Sequence, residues 1–183
     1  MPKSNTLSAI IDANLESIEQ GENLILSLTA KQYQYKATPL LNSSIGEHFR
    51  HISDSYFSLM EGAELGHVDF NRRRRGALVE TRSEVALAEL SQIKTWLLHI
   101  NSDVNKTLSI KTEVALKATC VVDISSSLAR ELLFTSSHAV HHYAVIAVIA
   151  KLQNVGIDSG LGLAAATATN VRKLQSSNGL LLQ

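Results

Sequence analysis

Ser44-Ile45-Gly46-Glu47-His48-Phe49-Arg50-His51-Ile52-Ser53-Asp54-Ser55-Tyr56 is the stretch on which the reading of the fold turns. Ser44 followed three residues later by Glu47 has the form of a capping box, with Ser43 the other candidate N-cap. Ile45, Phe49, Ile52, Tyr56, Leu59 and Met60 then recur at helical spacing. The pattern predicts an amphipathic helix over 45–60, stopped at Gly62 or Gly66. Two imidazoles, His48 and His51, ride on that same helix.

Further segments of the same kind lie on either side. Upstream, Leu7, Ile10, Ile11, Leu15, Ile18, Leu24, Ile25 and Leu28 form one helical stripe, which Gly21 weakens by about 1 kcal/mol relative to Ala without ending it. Lys31 to Asn42, with Pro39, reads as a loop. Downstream, the polar run His67 to Gly76 reads as a connecting loop. Thr81 with Glu84 caps a third helix, which turns Val85, Leu87, Leu90, Ile93, Leu97 and Leu98 inward and ends near His99 to Asn101. Thr107 to Ser125, rich in Val, Ile and Thr with partial alternation, suits two short strands or an extended loop. Ser125 to Ser127 restart a helix running from Leu128 to about Gln153, closed by Gly156 and Gly160. From Leu161 to Gln183 a short helical stretch of Ala and Thr leads to a frayed end. With no repeat and no boundary, residues 1–183 read as one domain with 161–183 as a C-terminal extension. Four long amphipathic segments predict an all-α four-helix bundle. Its connection of roughly 25 residues before the last long helix is long enough for a crossover or a short β-hairpin.

Composition narrows the function classes. The 183 residues carry 17 basic and 17 acidic side chains, so nothing marks the chain as a general binder of nucleic acid or membrane surfaces. Cys120 is the single cysteine, which excludes an internal disulfide and a cysteine-based metal site; its apolar run Ala118 to Val122 predicts burial. Asp12, Glu16 and Glu19 interrupt any signal-peptide pattern. The longest strongly apolar run, Tyr143 to Ala150, falls short of the about 18 residues that span a bilayer. A soluble, cytoplasmic protein is expected. No Gly-rich phosphate loop and no Gly-x-Ser-x-Gly elbow is present.

The seven histidines are unevenly placed: His48 and His51 on the second helix, His138, His141 and His142 on the fourth, His67 and His99 alone. At about 100° per residue, His138 and His142 lie only about 40° apart and one turn along their helix, the i, i+4 geometry with which two imidazoles grip one metal. One histidine of the second helix can complete a three-histidine site, which suits Zn, Ni or Fe(II) and leaves positions open for water or substrate. Such a site acidifies a bound water or thiol into a nucleophile near neutral pH. Against this stands the plain alternative that i, i+4 histidine pairs arise by chance, and spacing alone does not fix the third ligand.

At these residues the chain resembles the DinB/YfiT-like family of metalloenzymes. Its second-helix motif, His-x-x-Asp, is matched by His51-Ile52-Ser53-Asp54-Ser55-Tyr56, and its later motif by His138-Ala139-Val140-His141-His142. A subgroup pattern, Ser-Ile-Gly-x-His-x-Arg-His, is matched by Ser44 to His51. The resemblance covers most of the chain. It implies a four-helix bundle holding one divalent ion (Zn, Ni, Mn or Fe) on His51, His138 and His142, with His48 either behind the site or a ligand in place of His51. The Asp54 match favours His51. The resemblance further implies thiol-dependent transferases and isomerases that activate a low-molecular-weight thiol, beside members assigned as hydrolases, acting on small-molecule substrates and often paired as homodimers. One departure stands out. Where the subgroup carries Gly-x-Ala-Pro-Ser-Thr, this chain reads Gly162-Leu163-Ala164-Ala165-Ala166-Thr167, without the proline.

Other side chains are candidates with bland alternatives. Asp54 can accept an N–H from a metal-bound imidazole or be a helix-surface acid. Glu131, seven residues before His138, can serve as base or fourth ligand, or pair locally with Arg130. Tyr143 bounds the pocket or packs in the core. Arg72 to Arg75 can hold an anion, although a charge run is usually a solvated loop. The catalytic expectation, a metal-activated thiol or water attacking a small electrophile, competes with a non-catalytic bundle that binds a metal or a partner. A coordination position left open distinguishes the first from the second.

Overall fold

The computed structural model describes residues 6–100 and 106–180, the side chains of 177–180 excepted. The expectations for Met1 to Asn5, for a helix end at Asn101 and for the extreme tail 181–183 lie outside these residues. Helix α1 spans Thr6–Leu26, α2 Ala30–Gln34, α3 Ile45–Leu65, α4 Ser83–His99, α5 Leu128–Leu152 and α6 Ala165–Leu180. Strands β1 (His67–Asp69), β2 (Thr107–Glu113) and β3 (Val121–Ser127) form one sheet in the order β1-β2-β3. β1 runs parallel to β2 with Val68 opposite Ile110, and β3 runs antiparallel to β2 with Ile124 opposite the same residue.

The all-α four-helix bundle expected from the periodicity is therefore overturned: the chain is a mixed helical and β structure, largely helical, with a three-stranded mixed sheet. The overlooked strand is β1, inside the stretch taken for a plain loop. Three residues are too few to show a period of two, and the pairing that makes them a strand comes from β2, about 40 positions away. Four long helices remain the core. α3 packs on α4 and α5, and α1 packs on α4 and α5. Between them lie Ile18, Ile25, Ile45, Phe49, Ile52, Leu59, Leu90, Ile93, Ile146 and Ile149, each nearly or fully buried.

Local chemistry explains where α3 sits. Ser44 is its N-cap: Glu47 N–H donates to Ser44 Oγ and Ser44 N–H to the Glu47 carboxylate at 2.7 Å, a complete capping box. The helix runs through Gly62 and ends at Gly66, whose φ of 80° needs a residue free of Cβ strain. Gly46 serves a different purpose, since a Cβ there would collide with the Glu80 carbonyl of the 3₁₀ turn Leu78–Glu80.

Several local expectations are corrected. Thr29 and Gln32 form their own capping box and start α2 inside the expected loop, and buried Tyr33 anchors it by donating to Val79 O at 2.7 Å. Thr81 does not cap α4. Its hydroxyl donates back to the Leu78 carbonyl, and the helix follows Arg82 with no side-chain cap. Cys120 is exposed rather than buried, because the connection 114–120 stands off the helical core with Leu116 fully exposed. α5, at 25 residues, is long and apolar enough to cross a bilayer, more than its short unbroken apolar run suggests; here its inner face packs on α1 and α3.

Candidate metal centre

The contacts between α3 and α5 run in opposite chain order: His48 meets His142 and His51 meets His138, so the two helices pass antiparallel. His138 Nε2 lies 2.8 Å from His51 Nε2 and 3.2 Å from His142 Nε2. The ligand atoms of these three half-buried residues all fall within 4.8 Å of one another. A neutral imidazole carries one N–H and one lone pair, so three nitrogens facing one point cannot all be satisfied by protons shared among them. Their chemistry fits a divalent ion, since imidazole nitrogens held about 2.0–2.1 Å from one centre stand roughly 3 Å apart.

His48 lies behind this trio. Its Nδ1 is 2.8 Å from His142 Nδ1, and its Nε2 is 2.9 Å from Ser43 Oγ. With His142 Nε2 given to the trio, His142 Nδ1 carries the proton and donates to His48 Nδ1. His48 then carries its proton on Nε2 and donates to Ser43. The chain Ser43–His48–His142 thus fixes a tautomer and a ring orientation, the service that partners of metal-bound histidines commonly perform. The sequence offered Ser43 only as an alternative cap, and no local pattern marks it as a partner of an imidazole.

All four imidazoles are kept neutral. Burial pulls the His51 pKa down to about 4, helped by the charge of Arg73 and by His138. Burial and then the neighbouring imidazoles pull His142 to about 2. His48 and His138 are lowered for the same first reason. Neutral nitrogen is the form that ligates. His141 is exposed at the rim, its ring centroid 5.4 Å from that of His142. His67 and His99 take no part; His99 Nδ1 contacts Thr95 O on its own helix.

The acidic candidates go elsewhere. Asp54 is buried, and its carboxylate accepts from Arg50 Nη1 at 3.2 Å, from Arg74 Nε at 2.6 Å and from Arg74 N–H at 3.1 Å. No hydrogen bond joins it to His51 among the described residues. Glu131 accepts from Ser126 Oγ at 2.6 Å and lies 3.7 Å from Arg130, at the joint between β3 and α5. Tyr143 is fully buried against Phe49. Among the described residues no carboxylate or cysteine joins the three nitrogens, so they leave positions open. A cavity of about 700 Å³ lies elsewhere, between α1, α5 and α6, on the side of α5 that carries Ser136 and Val140.

The arginine run divides. Arg72 pairs with Glu61, and Arg74 with Asp54 and, at 2.7 Å, Glu89. Arg73 is half-buried, and its Nη1 donates only to the backbone carbonyls of Phe70 and Arg72. The Phe70 ring packs on Phe134 at 5.6 Å, and Phe134 stacks on His138 at 5.8 Å with 13° between planes.

No protein-family model matches the chain. Over 75 residues, 38% of this chain, it is 36% identical to FK506-binding protein 5 of Rhizopus delemar. The match covers 20% of that protein, so the chain spans about a fifth of the length of this curated relative. A match over so small a share assigns neither family nor site.

Proposed function

We propose that the chain is a metal-dependent enzyme that holds one divalent ion on His51, His138 and His142 and activates a small nucleophile, a thiol or water, against an electrophilic substrate. The observation that carries this reading is the convergence of three neutral Nε2 atoms, at 2.8 and 3.2 Å, with no acid among them. The DinB/YfiT-like resemblance supports the same three residues and contributes the reaction class, thiol-dependent transfer or hydrolysis. A bound ion of this kind lowers the pKa of a water or thiol in an open position. The chain's own residues do the rest. His48 and Ser43 hold the His142 ring, burial keeps the imidazoles unprotonated, and Phe134 walls the site beside His138.

The test is metal content by mass spectrometry on untagged protein, beside the variant His138→Ala/His142→Ala. About one equivalent of Zn, Ni, Mn or Fe in the parent, absent from the folded variant, is expected. A thiol-transfer screen on the loaded protein follows. Absence of metal from the parent even after reconstitution overturns the proposal. One equivalent with no turnover in thiol-transfer or hydrolase screens favours the non-catalytic, metal-binding alternative.

A further inference from the structure

The β3 edge of the sheet is open. β3 packs on β2 and, where the chain continues, on α5, and no strand covers its other side among the described residues. Val114 N–H donates to Cys120 O at 2.9 Å and Leu128 N–H to Lys106 O at 3.1 Å, which sets the alternation along β3. Even-numbered residues turn their backbone groups to β2, whereas Val121, Asp123 and Ser125 turn N–H and C=O outward. Ile124 stands opposite Ile110, so the two side chains share one face of the sheet. That face is the core side: Ile110 is 3% exposed and Leu108 fully buried, yet Ile124 is 52% exposed. The helices cover β2 and stop short of β3. Open edges are commonly guarded by Lys, Pro or a bulge. Val121–Ser127 has none of these and carries a single charge, Asp123, in unbroken register with β2.

We infer that β3 is a homodimer edge: two copies of this chain pair β3 with β3, antiparallel about a two-fold axis at Ile124, joining two three-stranded sheets into one. The choice of occupant follows from the strand's match to itself. An axis through a residue brings outward-turned backbone groups of one copy onto those of the other, and an axis between residues does not. At Ile124 the whole strand pairs: Val121 with the partner's Ser127, Asp123 with the partner's Ser125, and Ile124 with the partner's Ile124. Asp123 then meets a hydroxyl donor instead of a like charge. An axis one residue earlier sets the two Asp123 carboxylates against each other, and an axis one residue later pairs only residues 123–127. The axis at Ile124 also continues the core-side stripe of Ile110 and Ile124 into the second copy, which takes from water the side chain that the helices leave exposed. None of this depends on the metal.

The experiment measures the mass of the full chain in solution by sedimentation equilibrium, with folding of each variant followed by circular dichroism. The parent is expected at twice 19.9 kDa. Ile124→Lys, which opposes two charges at the axis, and Ser125→Pro, which removes an outward N–H without touching the β2 ladder, are both expected at the monomer mass. A crosslink reads the register. Opposite residues at the axis have Cα atoms about 4.5 Å apart, within the span of a disulfide. In a Cys120→Ser background, Ile124→Cys is therefore expected to form an intermolecular disulfide on mild oxidation, and Asp123→Cys, set diagonally from its copy, is not. A monomeric parent overturns the inference, as does a dimer that persists in either folded variant. Crosslinking of Asp123→Cys as fast as that of Ile124→Cys overturns it too. Should either disrupting variant fail to fold, the two crosslinking proteins decide the matter, and every one of these outcomes leaves the metal site standing.

Discussion

Two polar clusters share helix α3 within one turn of each other, and they are built on opposite plans. Around Asp54 every charge is answered: the carboxylate accepts from Arg50 and Arg74, and those arginines are answered again by Glu80 at 2.9 Å and Glu89 at 2.7 Å. Around His51 no charge is present to be answered, and the imidazoles of the trio meet one another. Three lone-pair nitrogens face one another with no acid and no fixed proton count. A self-satisfied network holds the loop 70–76 against α3. A half-buried set of imidazoles that answer only one another, with no charge among them, has the donor set a metal ion takes.

The largest effect separating the two clusters is on metal uptake. His138→Ala/His142→Ala is expected to drop stoichiometry from about one to nothing, because a single imidazole does not hold the ion. Asp54→Asn is expected to leave the stoichiometry intact and to destabilise the fold by about 1–3 kcal/mol in urea titration, since it removes the buried charge that Arg50 and Arg74 share, while Glu80 and Glu89 still answer those arginines. Loss of metal from a folded Asp54→Asn protein would merge the two clusters into one and break the contrast.

How much of this was legible in the sequence follows from where each signal lives. The α3 cap was legible because Ser44 and Glu47 act across three residues, and the helical histidine pair because His138 and His142 lie one turn apart. β1 was not, and within the candidate run Arg72 to Arg75 nothing told Arg73 from its neighbours. Both acquire their character from partners distant in the chain, β1 from β2 and Arg73 from what surrounds it after the loop folds onto α3. Asp54 was misjudged for the same reason. Next to His51 in sequence it suggested a carboxylate for an imidazole, but Arg74, 20 positions on, has the stronger claim. Short-range chemistry is written in the chain, whereas competition between partners is settled only in space.

A middle-sized effect is expected from His48. If Ser43–His48 orients the His142 ring, His48→Ala lowers metal affinity about 10–100-fold, the usual cost of removing such a support, while stoichiometry at saturating metal stays at one. Ser43→Ala, which leaves the imidazole contact in place, lowers it less. Competition with a chromophoric chelator reads both. Stoichiometry below one in His48→Ala at saturation would make His48 a ligand rather than a support.

The smallest effect is a pH dependence that distinguishes the clusters without any metal. In chelator-treated protein, folded His51 takes its proton only near pH 4, mainly because of burial, whereas the unfolded chain takes one near about 6.5. Between those values the unfolded state binds more protons, so stability is fully present above about pH 6.5 and falls as pH drops towards 4. His142 extends the loss to lower pH, its folded pKa being about 2. The urea midpoint of the chelated parent is expected to slope downward through this window. His51→Gln, which has no proton to take up in either state, makes the slope shallower. An equal slope in the two proteins would mean that the acid sensitivity does not come from His51, and the contrast between the two clusters would lose its electrostatic half.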